Sequence, residues 1–209
     1  MVTVFIILFV LTLLYAGMSD RMNSLVKILA VQGLLLFATA LIALQDIDVL
    51  NLSFILVETI VVKGFLIPML LYRTLKRNGI VRETHASVSR FQSLLIVTAI
   101  IFLSFVFASS IHQQHLHIGY FTASISAMFV GLFIVMTRVK IITHMIGYLI
   151  LENGIFLLSL AVGNEMPLAV NTAILLDLMT SVLLLAFLVD KVGETFQTVD
   201  VHDLNELND

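Results

Sequence analysis

A chain of 209 residues that is 60% hydrophobic and 12% charged, with a mean hydropathy of +1.09, is too apolar for a water-soluble domain and reads as a polytopic membrane protein. The absence of cysteine excludes a disulfide framework, a thiolate metal site, a thiol nucleophile and any haem or iron–sulfur cluster held by Cys. The formal charge of -3 is unevenly spread: basic residues gather in loops, the last twenty residues hold six of the fourteen acids, and nothing supports nucleic-acid binding.

A membrane span needs about twenty mostly apolar residues. By that rule the chain predicts seven, at 2–18, 24–44, 50–72, 91–110, 119–137, 141–162 and 168–189. The first run, MVTVFIILFVLTLLYAG, has no basic segment before it and is read as a retained span, not a cleaved signal. Continuous apolar runs of this length exclude an outer-membrane barrel, whose strands alternate over segments of about ten residues. The expected fold class is therefore all-α, a bundle of seven transmembrane helices.

The Lys and Arg bias of short loops sets the expected orientation. The third connection carries Arg73, Lys76, Arg77, Arg82 and Arg90, and the fifth carries Arg138 and Lys140, so both are expected in the cytoplasm. Arg21 and Lys27 flank the first connection, while QDIDVLN, SSIHQQHLHIG and GNEMP contain no basic residue. The N-terminus is then outside and the C-terminus inside. Organisation reads as an N-terminal three-helix part with its basic loop (1–90), four further helices (91–189) and an acidic tail (190–209). Gln32, Ser104, Thr122, Ser124 and Ser126 are read as packing residues that let helices approach and hydrogen-bond across a seam.

Four ionisable residues fall inside predicted spans: Glu58, Lys63, Glu152 and Asp177. A charge at the centre of a membrane helix costs roughly 2.5–3.5 kcal/mol on insertion scales, so such residues face protein or water and serve ion or proton movement. Lys63, Glu152 and Asp177 lie near the midplane, the arrangement a lateral proton relay needs, with Glu58 nearer the outer side. On the seventh helix Ala173, Asp177 and Ser181 form a small, polar stripe with Thr180 beside it. On the sixth, Glu152 shares its face with Met145, Tyr148 and Ser159; Tyr148 can reach the carboxyl or lead a water chain to it, and His144, two turns before Glu152, can feed protons toward it. Glu58 stands about 140° around the helix from Lys63 at 3.6 residues per turn, so Lys63 needs another carboxylate. Pro68 has no N–H for the carbonyl of Gly64, which predicts a kink that either only bends the helix or admits water beside Lys63. His112, His115 and His117 sit in one outer loop, with no acid or Cys nearby to complete a metal site. No metal, cofactor or catalytic residue is assigned to this chain, and no phosphate-binding, dinucleotide or hydrolase motif is visible.

The run RVKIITHMIGYLILENGIFLLSLAVG, a short loop and AVNTAILLDLMTSVLLLAFLV resemble the three-helix K subunit of respiratory complex I and the C subunit of Mrp-type cation/proton antiporters. Residues 119–189 are the K-like part; Glu152 and Asp177 match the two buried glutamates of that subunit, the second here shorter by one methylene. With the four preceding helices and LVETIVVKGFLIPMLLYR, the whole chain is similar to the hydrogenase-4 component E family. The resemblance implies a non-catalytic subunit of a complex I-like, proton-translocating membrane hydrogenase or oxidoreductase, set among antiporter-like membrane subunits. Glu152, Asp177 and Lys63 would form the proton relay, with Glu58, Tyr148 and His144 as accessories. Nickel–iron centres, iron–sulfur centres or quinone would belong to partner subunits, and the location would be a bacterial or archaeal cytoplasmic membrane. An Mrp-type antiporter subunit and a scaffold without proton transfer are the alternatives.

Overall fold

The computed structural model describes residues 2–43, 58–77, 87–111 and 117–162, and these are helical with short connections. In chain order they form α1 (Val2–Met18), α2 (Met22–Ala43), a π-helical segment (Glu58–Leu66) that runs into α3 (Ile67–Arg77), α4 (Arg90–Ser110), α5 (Ile118–Thr137) and α6 (Ile141–Val162). Four of them are long and apolar enough to cross a membrane, at Met22–Ile42, Arg90–Ser110, Ile118–Thr137 and Ile141–Ala161; α1 is apolar but shorter. The chain is a multi-pass membrane protein. The predicted seventh span, 168–189, and the tail 190–209 lie outside the described residues.

The third span, expected as an ordinary helix with a kink, differs in kind. Its first nine described residues are wound as a π-helix, and the α-helical winding begins at Ile67, one residue before Pro68. Proline accounts for the position of this change, since it donates to neither the i−4 carbonyl of Gly64 nor the i−5 carbonyl of Lys63. The helix also continues to Arg77, five residues past the expected end.

α4 shows which solvent the bundle is built for. Its buried positions are Ser93, Val97, Ser104 and Ala108, while Phe102, Leu103 and Phe105 point outward at 56–64% exposure. A water-soluble helix would present the opposite faces. In lipid, large apolar side chains meet acyl chains at no cost, and small residues go inside because they let helices approach. Ser89 starts α4 through a reciprocal capping box with Gln92: the Ser89 hydroxyl accepts from the Gln92 N–H, and the Gln92 side chain accepts from the Ser89 N–H.

Glycine sets the two closest seams. A Cβ at Gly131 of α5 would stand 2.6 Å from the carbonyl oxygen of Gly147 on α6, and one at Gly147 would stand 2.8 Å from the Gly131 oxygen. One helical turn pair further on, Gly154 meets the backbone of Ser124 and Met128 in the same way. α5 and α6 therefore touch backbone to backbone. The second seam lies between α2 and the π-helical segment, where a Cβ at Gly33 would lie 2.6 Å from the nitrogen of Gly64. Phe9, Leu13, Leu36, Ile146, Ile150 and Leu157 fill the core between these seams.

Candidate functional site: a buried ion pair between two helical seams

Lys63 and Glu152 reach each other because both close seams place them on facing sides of one interior. The Gly33–Gly64 approach draws the π-helical segment onto α2, and α6 packs against α2 from the other side. The Lys63 ammonium lies 2.6 Å from Glu152 Oε1, and the two residues are 5% and 6% exposed. The ring of Phe156, one turn beyond Glu152, stands 5.0 Å from Lys63 Nζ and gives the ammonium a π face. Thr59, one turn before Lys63, is fully buried.

Taking two charges out of water is costly, and their mutual attraction offsets that cost only at close range. Glu152 Oε2 is buried and has no hydrogen-bond partner among the described residues.

Next to the pair runs a polar file that crosses three helices. Asn153 Nδ2 of α6 donates to Gln32 Oε1 at 3.2 Å, Gln32 Nε2 donates to Thr12 Oγ1 at 2.9 Å, and Thr12 donates to the Phe9 backbone carbonyl at 2.6 Å. Gln32 is fully buried and Asn153 is 3% exposed. Gln32 does what its packing assignment requires, hydrogen-bonding across a seam. The hydroxyls assigned the same role do otherwise: Ser104, Thr122, Ser124 and Ser126 bond back to carbonyls of their own helices. Their contribution to packing is small size, as at the Ser124–Gly154 approach. Asn153 went unassigned in the sequence, although an amide beside a buried acid in an apolar run was a signal in view.

A second charged cluster ties the connections at one end. Asp20, between α1 and α2, bonds Arg138 at 2.6 Å and also pairs with Arg90. Arg138 is 5% exposed and its second guanidinium nitrogen donates to the Gly17 carbonyl at 3.0 Å. Burial by itself raises the Asp20 pKa, but bonds and charge from the two guanidiniums outweigh it, so the carboxyl is held below its usual 3.8. Sequence reasoning counted Arg90 and Arg138 as loop charges and left Asp20 unassigned, since a pairing across 118 residues has no local signature.

The remaining expected site residues are dispersed. His144 is half-buried with Nε2 2.6 Å from the Arg138 carbonyl, at the charged cluster and eight residues, about 12 Å of helix, from Glu152. Tyr148 is 44% exposed, whereas Glu152 is buried. Glu58 opens the π-helical segment, and its side chain lies outside the described residues, as do Asp177, His112 and His115. Among the described residues, no three His, Asp or Glu side chains gather as metal ligands.

Compared with curated proteins, the chain is 24% identical over 192 residues to the uncharacterized protein Rv0085 of Mycobacterium tuberculosis. The match spans 90% of this chain and 87% of that protein. No family model matches the chain, and no solved structure matches it.

Proposed function

We propose that the chain is a non-catalytic membrane subunit of a complex I-like, proton-translocating hydrogenase or oxidoreductase, related to hydrogenase-4 component E. In this reading it has seven spans, its N-terminus outside and its C-terminus inside a bacterial or archaeal cytoplasmic membrane. Redox centres or quinone belong to partner subunits, and antiporter-like subunits flank the chain in the bilayer.

The observation that carries the reading is the Lys63–Glu152 contact at 2.6 Å. It joins the part of the chain outside the K-like helices to the acid on the second of them, so a proton arriving on one side of the bundle has a partner on the other. Glu152 Oε2 offers the next acceptor, and Asp177 is the following station in this scheme. Basic residues of two connections, Arg90 and Arg138, meet at Asp20 of a third on one end, which supports placing these loops on one membrane face.

The test uses the complex purified with this chain from its own membrane. Glu152→Gln is expected to lower protons moved per electron transferred in the complex that is recovered, while electron transfer per complex to an artificial acceptor stays near wild type. Unchanged pumping would remove Glu152 from the path. Copurification with antiporter subunits and no redox arm would overturn the oxidoreductase assignment.

A further inference from the structure

Between α1 and α2 runs an open groove of about 530 Å³. Its walls are segregated along the helix axes. Toward the middle of both helices they are Leu8, Leu11, Ile28, Val31 and Leu35, and toward the α1–α2 turn they are Tyr15, Ser24 and Lys27. These positions recur at three and four residues on each helix, so they face one another across the groove. Leu8, Leu11, Tyr15 and Val31 are 43–54% exposed, so the groove opens on the outer surface of the bundle.

An apolar trough that ends in one cation, a phenol and a hydroxyl is the negative image of an amphiphile with an anionic head. Lys27 is exposed on α2 and has no ion-pair partner among the described residues, unlike Arg90 and Arg138, which both pair with Asp20. It sits five residues into α2, about 7 Å from the helix start, the depth at which a lysine reaches the headgroup layer of a bilayer. From Lys27 to Leu35 the groove offers about 12 Å of apolar wall, enough for the upper half of an acyl chain. A neighbouring helix of the usual apolar kind would leave Lys27 facing hydrocarbon; a phosphate gives it a counter-ion.

We propose that the α1–α2 groove is a binding site for an anionic phospholipid, with its phosphate at Lys27, Ser24 and Tyr15 and one acyl chain along Leu11, Val31 and Leu35. The chain of the bound lipid passes Thr12, which also lines the groove and ends the hydrogen-bonded file through Gln32 to Asn153. Lipid in the groove thereby covers the outer end of the polar file that lies beside the Lys63–Glu152 pair. The site depends on the membrane setting alone and not on the proposed role of Glu152.

The protein contains no Trp, which makes a single introduced one a clean reporter. Full-length Leu11→Trp protein is reconstituted into vesicles of phosphatidylcholine with 20 mol% or so of a brominated lipid, either brominated phosphatidylglycerol or brominated phosphatidylcholine. Quenching is expected to be stronger for the anionic quencher, with an apparent preference of about fivefold, as one lysine near a charged headgroup supplies. Adding Lys27→Gln is expected to abolish the preference and leave quenching by phosphatidylcholine unchanged. Equal quenching by both lipids, or a preference that survives Lys27→Gln, overturns the site. Protection from both quenchers also overturns it, by showing that protein fills the groove. Leu103→Trp, on the outward face of α4, supplies the bulk-lipid reference.

Discussion

Glu152→Gln removes one charge from a pair whose members are 6% and 5% exposed and leaves the Lys63 ammonium buried without its carboxylate. Breaking such a buried pair from one side costs about 3–5 kcal/mol. The Phe156 ring remains against the ammonium and retains part of its stabilisation, about 0.5–2 kcal/mol, which places the expected loss near the lower end of that range. Lys63→Met strands the carboxylate instead and costs a similar amount. The double variant holds no buried charge at this contact, so its loss should be about 1–2 kcal/mol, far below the sum of the two single losses. The expected coupling is therefore about 4 kcal/mol. SDS titration in mixed micelles, followed by far-UV circular dichroism, measures all four proteins on one scale. Single losses that add to within about 0.5 kcal/mol of the double variant's loss would falsify the pair as an energetic unit.

Two further outcomes test the scaffold around that pair. Gly131→Ala puts a methyl 2.6 Å from the Gly147 oxygen and 2.8 Å from the Leu151 nitrogen, both backbone, and should cost about 1–3 kcal/mol in the same titration. Gly119→Ala meets only the end of the Ile6 side chain at 3.2 Å and should lie within about 1 kcal/mol of wild type. Asp20→Asn should lower thermal stability at neutral pH by removing the carboxylate that holds Arg138 and Arg90. Because the folded-state pKa of Asp20 lies below its unfolded value of 3.8, the wild-type advantage is complete above that value and is lost as pH falls through the lower folded-state pKa. An advantage that instead grew below pH 3.8 would contradict the assignment.

The class of the molecule was legible from composition and run length because lipid acts on every residue of a span, and a twenty-residue apolar run satisfies that solvent without reference to any other part of the chain. The positions of α1, α2, α4, α5 and α6 follow the apolar runs to within a few residues for this reason. The cost of burying a charge is equally local, so Lys63 and Glu152 stood out as single residues. Their partners did not. Lys63 was short of a carboxylate on its own helix, and only the packing of the π-helical segment and α6 around α2 brings it to one 89 positions away.

Pairing of this kind depends on which helix faces touch, and helices that are apolar all round carry no amphipathic stripe to announce the face. In this chain the faces are selected by Gly33, Gly131, Gly147 and Gly154, whose missing side chains admit a neighbouring backbone. Such glycines are visible in the sequence, but the helix each one admits is not. The same holds for Asp20 with Arg138 and for Asn153 with Gln32, where residues more than a hundred positions apart satisfy each other. Solvent therefore wrote the spans into the amino-acid order, while close contact between helices chose the pairs, because the first is a property of each segment and the second of two segments at once.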